Sequence, residues 1–155
     1  MMQGGPVLEV ETRIQARPET IFAYFTDAER YRRWMGDLAE LDPRPGGLYR
    51  VHIFGGRIAE GRYLSLEPPR RIVFSWGWVG SEEVPPGSTT VEVTLRTEGD
   101  VTIVRLEHVG LPTQAAYEQH RSGWHRYLDR LAVVGRGGDP GPDPLEDEDP
   151  APARG

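Results

Sequence analysis

Twelve residues near the carboxyl end of the chain, "HRSGWHRYLDRL" at 120–131, include the side chains that hydrolytic enzymes use. On a helix, Ser122, His125 and Asp129 would lie within reach of one another. A serine, a histidine and an aspartate can form a nucleophilic triad. A working triad also needs a turn that exposes the serine and a pair of donors for the oxyanion, and neither is visible in the neighbouring sequence. The role of these side chains therefore depends on which of them face inward.

Helical periodicity gives the answer for this stretch. Between about residues 113 and 135, side chains spaced at about 100° per residue form one largely apolar face. Ser122 and Asp129 project to the opposite side, and His125 lies near the edge of the apolar face. We therefore expect ordinary surface contacts from these three residues and predict no catalytic residue. The inward face is formed by Tyr117, His120, Trp124, Tyr127, Leu128, Leu131 and Val134.

Composition limits the chemistry that the chain can perform. Its 155 residues suffice for one domain, and the absence of cysteine excludes disulfides, thiolate metal sites and cysteine catalysis. The formal net charge is −6, and residues 137–155 carry six acidic residues against one arginine. The remaining body is close to neutral, which argues against nucleic-acid binding. We predict one domain over residues 1–136, followed by a disordered acidic tail, rich in proline and glycine, over 137–155.

The sequence shows no segment suited to a membrane or to export. No apolar run approaches the roughly 20 residues that cross a bilayer, and no basic segment leads into an apolar stretch near the start. We therefore expect a cytoplasmic protein without a membrane span. His108 and His120 have no carboxylate or third histidine at ligand spacing, so we expect neither a metal nor another cofactor.

The elements that would hold the inward helix follow from alternation and turn signals. Residues 7–16 alternate as a half-buried strand, and "RPETIFAYF" and "AERYRRWM" read as two short helices, the second capped by Asp27. From about residue 48 to 109 the chain reads as five further strands. This order predicts an α+β protein with six strands, two short helices after the first strand and a long helix at the end.

Several of these stretches together resemble a known family. They are "RPETIFAYFTDAERYRRWM", the glycines Gly46, Gly47 and Gly61, "EPPRRIVFSW" and "GWHRYLDRLA". In this order, over about residues 7–134, they resemble the START-like (SRPBCC) helix-grip superfamily, and more narrowly its heat-shock-protein-90 ATPase activator homologue-like branch. The resemblance implies a curved six-stranded antiparallel sheet wrapped around the C-terminal helix, with a cavity between them. Members bind small hydrophobic molecules, and some relatives are cyclases, aromatases or lipid carriers.

Aromatic and histidine side chains on the inward faces are the candidates for lining this cavity. Tryptophan and tyrosine suit a ligand pocket because they combine a large apolar surface with one polar group, although the same rings can simply fill a core. His108 and His120 could hydrogen-bond a ligand, or a neighbouring backbone group could satisfy them. The predicted lining is Trp34, which could close a mouth, together with Tyr49, Phe74, Trp76, Trp78, His108, His120, Trp124 and Tyr127.

Two charged residues are predicted at the cavity mouth. Glu60 and Arg62 share a strand face with Ile58, Leu64 and Leu66, which we take as inward. Charges on an inward face would pair across the interior or lie at its open end. A shift in register would instead place both residues in solvent.

Three functions compete at this point. The first is binding of a small hydrophobic or aromatic ligand. The second is a cyclase or dehydratase that uses His108 or His120 as general acid or base. The third, suggested by the resemblance, is a partner that activates a chaperone ATPase. The first strand begins at about residue 7 and leaves no room for a separate N-terminal chaperone-binding domain, so we expect a weak contact at most. We expect a monomer or a weak homodimer.

Overall fold

The computed structural model describes residues 7–53 and 56–141. The predicted tail at 137–155 therefore lies outside the described residues from position 142 onward. The described strands are β1 (Leu8–Ile14), β2 (Leu38–Leu41), β3 (Leu48–Ile53), β4 (Arg57–Glu67), β5 (Arg71–Trp76), β6 (Thr89–Glu98) and β7 (Val101–Val109). The helices are α1 (Pro18–Thr26), α2 (Ala28–Tyr31) and α3 (Gln114–Gly135).

The described strands form one antiparallel sheet in the order β1-β7-β6-β5-β4-β3-β2, and α3 packs against its inner face. The α+β helix-grip prediction is confirmed. Alternation in β3, β5, β6 and β7 directs one set of apolar side chains toward α3, and the pairings hold them in register. The hydrophobic core is therefore a single layer between the sheet and the helices.

Strand β2 was not predicted, so the described sheet has seven strands instead of six. Its four residues pair with β3 at the sheet edge. Ala39 is the buried residue of the strand, and Leu38 is 46% exposed. A short edge strand with one small inward side chain gives no apolar alternation for sequence analysis to detect. Helix α2 also ends at Tyr31, earlier than the pattern "AERYRRWM" predicts.

Strand β4 changes face at a bulge. Tyr63 and Leu66 both face inward although they are three residues apart, because Leu64 is an extra residue in the pairing with β5. An extra residue reverses the alternation of everything on its far side. Counting back by twos from Leu66 therefore assigns the wrong face to the first half of β4, where Ala59 and Gly61 in fact point inward.

Side-chain caps fix where the second and third helices begin. The Asp27 carboxylate accepts a hydrogen bond from the Glu29 N–H at 2.9 Å, as the sequence predicts. Thr113 Oγ1 accepts from the Ala116 N–H at 3.0 Å. The second cap fixes the start of α3, the helix that carries His120 and Trp124.

Candidate ligand-binding site

Five rings meet where β5, β7 and α3 come together, and we call them the tryptophan–histidine cluster: Trp76, Trp78, His108, His120 and Trp124. Ring centroids are 5.1 Å apart for Trp76 and Trp124, and 5.2 Å apart for His108 and His120. Trp76 contacts each of the other four rings. Each of the five side chains lies on the inward side of the sheet or of α3, where alternation and helical periodicity predict it.

Gly77 separates two inward-facing tryptophans, Trp76 and Trp78, at the end of β5. A Cβ on Gly77 would lie 1.8 Å from the carbonyl oxygen of Pro85, so the loop can pass this close only over a glycine. Beyond Gly77, Trp78 bridges to Ala59 and lies next to the ring of His120. The β5 alternation and this close approach together place Trp78 under α3.

His108 is fully buried and both of its ring nitrogens are occupied. The Trp124 indole N–H donates to His108 Nδ1 at 3.0 Å. Because Nδ1 accepts, Nε2 carries the proton and donates to Thr89 Oγ1 at 2.8 Å, and that hydroxyl donates in turn to the Trp76 carbonyl. Burial, with a smaller contribution from His120, holds the pKa of His108 well below its usual value. The imidazole is therefore neutral.

His120 is held in the opposite tautomer. The Trp78 indole N–H donates to His120 Nε2 at 3.0 Å, and His120 Nδ1–H donates to the Ala116 carbonyl at 2.7 Å. Burial lowers the pKa of His120, and the backbone hydrogen bond to Ala116 partly opposes this. All four ring nitrogens of the two histidines are thus engaged by protein groups in this structure.

The Trp76 indole differs from the other three. Trp34 donates to the Tyr24 carbonyl at 3.0 Å, and Trp78 and Trp124 donate to the histidines. Trp76 is only 3% exposed, yet its Nε1–H has no hydrogen-bond partner among the described residues. A buried donor without an acceptor costs about 1–3 kcal/mol and therefore requires an explanation.

Trp34 does not border an opening, contrary to the expectation that it could close a mouth. Its side chain is fully buried against Phe25 and Tyr31. Among the described ring contacts, Trp34 is connected to the tryptophan–histidine cluster through Tyr31 and Tyr49. Helices α1 and α2 pack it as part of the core, and its indole N–H is satisfied there.

Tyr49 and Phe74 link this core to the cluster. Their rings stack at 4.2 Å, and the Tyr49 ring lies 6.1 Å from that of Trp76. The hydroxyls of Tyr49 and Tyr31 are hydrogen-bonded to each other. Burial raises the pKa of both phenols, so both stay protonated. Tyr49 and Phe74 both contact the Trp76 ring and so connect this core to the cluster.

The mouth prediction for Glu60 and Arg62 is wrong in its choice of face. The bulge at Leu64 reverses the alternation, and both residues lie on the outer face of the sheet. Glu60 Oε1 is 3.6 Å from Arg50 Nε, and Arg62 donates to the Gly46 carbonyl at 3.2 Å.

The inward charge of β4 is Arg57, which sequence reasoning missed. Its Cζ lies 4.3 Å from the centroid of the Trp78 ring. Counting back by twos from Gly61, whose close approach to β5 demands a glycine, would have found it.

The remaining candidates fall on either side of α3. Tyr127 is buried, and its phenol lies close enough to Arg57 to affect the pKa of that guanidinium. Ser122, His125 and Asp129 are exposed, and no hydrogen bond joins them within the part of the chain that the structure describes. The triad-like spacing is thus a feature of the solvated side of the helix, as its periodicity predicts.

The described ranges contain neither a candidate membrane span nor a candidate metal site. Within residues 7–53 and 56–141, no helix is both long enough and apolar enough to cross a membrane. In the same ranges, no three histidine, aspartate or glutamate side chains come together in an arrangement that could hold a metal ion.

Comparison with known proteins places the chain in a family. The family model described as "Activator of Hsp90 ATPase homolog 1-like protein" matches residues 15–135. No curated protein matches the sequence. Among solved structures, an AHSA1-like protein from Rhizobium etli is 44% identical, covering 96% of this chain and 95% of its own, with a TM-score of 0.74.

Two other solved structures are similar at lower identity. CalU16 from Micromonospora echinospora is 30% identical over 81% of this chain and 73% of its own, with a TM-score of 0.67. An HSP90 activator from Plasmodium falciparum is 27% identical over 84% of this chain and 96% of its own, with a TM-score of 0.72.

Proposed function

The chain belongs to the family of Activator of Hsp90 ATPase homolog 1-like proteins, and we propose that it binds a small hydrophobic or aromatic molecule between its sheet and α3. The supporting observation is the Trp76 indole N–H, which is buried among aromatic rings without an acceptor in the described chain. Ligand sites typically combine an apolar aromatic lining with a few placed polar groups. A ligand oxygen or ring nitrogen that accepts from Trp76 would remove the cost of the unpaired donor.

Mass spectrometry of the protein purified from its own source tests this proposal. We expect the native spectrum to show an additional non-covalent mass that the denaturing spectrum lacks. Trp76→Phe keeps a ring but removes the N–H, so it should reduce the bound fraction. Trp34→Phe is the matched control, because it removes an indole N–H that is already satisfied by Tyr24. A ligand-free native mass, with a melting temperature unchanged by a panel of aromatic alcohols and ketones, would contradict the proposal.

A cyclase- or dehydratase-type activity is the alternative for the same interior. General acid–base catalysis needs a titratable group within hydrogen-bond reach of the reacting centre. Here the ring nitrogens of His108 and His120 bond to protein groups, so catalysis would require one of these bonds to break. Any turnover of a co-purified ligand that survives replacement of both histidines by glutamine would rule out an enzyme that uses His108 or His120 as general acid or base.

A chaperone-partner role is the second candidate function, favoured by the 27% identity with the HSP90 activator from Plasmodium falciparum. It would use the outer surface of the domain, so it does not compete with a ligand in the interior. Stimulation of Hsp90 ATPase activity by the purified chain would support it. No stimulation at a large molar excess of the chain would remove it.

A further inference from the structure

Arg57 is a cation on the inner face of the sheet. The pairing of β3 with β4 places it opposite Ile53, whose side chain is 4% exposed and faces the core. The same face of β4 continues through Ala59 and Gly61, both buried. Arg57 therefore begins the inward row of β4, at the end of the strand next to Trp78.

The Arg57 guanidinium is partly buried and lies over the Trp78 ring, with 4.3 Å between Cζ and the ring centroid. Burial lowers its pKa, and the Tyr127 phenol opposes this. Within the described ranges, no carboxylate lies within 4.0 Å of it. By contrast, Arg50 of the neighbouring strand, on the outer face, has Glu40 at 3.8 Å and Glu60 at 3.6 Å.

A partly buried guanidinium with no carboxylate within 4.0 Å among the described residues attracts an anion strongly. Desolvation strengthens its electrostatic interactions, and its planar fork fits a carboxylate in a bidentate arrangement. The Trp78 ring that lies under it also contacts Trp76, with 5.3 Å between ring centroids. A cation and an extended aromatic surface therefore adjoin.

We propose that Arg57 binds the carboxylate of an aromatic or apolar monocarboxylic acid whose body lies against Trp78 and the rest of the tryptophan–histidine cluster. This inference rests on the proposed ligand-binding function and adds the chemical class of the ligand. A single negative charge is favoured because His108 and His120 are neutral and supply no second cation inside. Arg57 supplies one guanidinium, whereas a phosphate dianion needs more than one positive charge to balance it.

A pair of matched probes tests the inference on the full chain at pH 7.5. 2-Naphthoate carries the carboxylate, and 2-naphthamide has the same ring system without the charge. Titration calorimetry and tryptophan fluorescence give the Kd of each. We expect the wild type to bind the naphthoate about 10-fold more tightly or better, the lower end of what one charge-assisted hydrogen bond contributes. Arg57→Gln should remove this preference and change naphthamide affinity by no more than about twofold.

Arg62→Gln is the matched control, because Arg62 lies in the same strand but on the outer face. It should leave both affinities unchanged. Equal affinities of the wild type for the two probes, or an undiminished preference in Arg57→Gln, would overturn the inference and leave the proposed function standing. Failure of the wild type to bind either probe at millimolar concentration would count against both.

Salt dependence keeps the test decisive if Arg57→Gln does not fold. Charge pairing is screened by salt, whereas ring burial is not. For the wild type alone, the preference for the naphthoate should therefore shrink between about 20 and about 300 mM NaCl. A preference that is absent at low salt would overturn the inference.

Discussion

Polar groups on the two faces of the sheet are paired in different ways. On the outer face, charges pair in exposed networks: Arg71 reaches Glu92 at 2.6 Å and Glu67 at 2.8 Å, and Arg105 reaches Glu9 at 3.0 Å. On the inner face, neutral rings exchange single, specific hydrogen bonds. An outer arginine can lose one partner and keep water, whereas an inner donor has no substitute.

This contrast makes the two inner exceptions informative. The Trp76 N–H has no acceptor, and Arg57 has no carboxylate, within the part of the chain that the structure describes. On the outer face, unpaired groups like these would be unremarkable. On a face where His108 and His120 have every ring nitrogen satisfied, they are the two groups on which the proposal of ligand binding rests.

The largest difference between the faces should be in packing. Phe74→Ala removes a fully buried ring and should lower the free energy of unfolding by about 3–5 kcal/mol. Leu64→Ala, at the bulge and 49% exposed, should change it by no more than about 0.5 kcal/mol. Urea unfolding at pH 7.5 measures both. Similar losses in the two variants would contradict the assignment of the faces.

Loss of the inner hydrogen bonds should cause the second-largest decrease in the free energy of unfolding. His108→Gln disturbs the bonds with Trp124 and Thr89 and should cost about 2–3 kcal/mol, because buried donors and acceptors lose their partners. His125→Gln, on the exposed side of α3, should stay within about 0.5 kcal/mol of the wild type. The same unfolding experiment compares them, and equal stability of the two variants would refute the hydrogen-bond network.

Acid should weaken the inner face. The folded-state pKa values of His108 and His120 lie below the ordinary value of 6.5, so below about pH 6.5 the unfolded chain binds more protons than the folded one. Stability from these groups is therefore present above that pH and is lost as the pH falls. Melting temperatures from pH 7.5 to 5.5 should decline, and the decline should be less steep in His108→Gln. A wild-type profile that is flat over this range would contradict the neutral assignment.

The smallest effect belongs to the outer charge pairs. Arg13 Nη2 lies 3.0 Å from Glu98 Oε1, with both side chains at least half exposed. Glu98→Gln should change the free energy of unfolding by less than about 0.5 kcal/mol, and salt should abolish the difference. A loss comparable to that of His108→Gln would erase the contrast between the faces.

The sequence predicts the inner face wherever one uninterrupted period runs along an element. Alternation identified Tyr49, Phe74, Trp76 and His108, and helical periodicity identified His120, Trp124 and Tyr127, because each element keeps a single buried face. Trp78 follows from the same count, although β5 ends before it. The partners of these groups could not be predicted, because the hydroxyl of Thr89 reaches His108 through strand pairing.

Prediction failed where one residue breaks the period. The extra residue Leu64 in β4 reverses the alternation, so Glu60 and Arg62 face outward and Arg57 faces inward. Periodicity alone contains no signal for a bulge, so the inward position of Arg57 was not predicted. Trp34 was misjudged for a different reason. An aromatic residue after a short helix has no period to orient it, and only the packing of α1 against α2 buries it.

The indole N–H resonances of the four tryptophans report on whether the interior next to Trp76 accepts a ligand. We would titrate 2-naphthoate into ¹⁵N-labelled protein and assign the Trp76 signal with Trp76→Phe. We predict that the Trp76 N–H signal shifts as it gains an acceptor or a neighbouring ring, while the Trp34 signal, already bonded to Tyr24, stays in place. Binding measured by calorimetry with no movement of the Trp76 signal would place the ligand elsewhere and contradict binding next to Trp76.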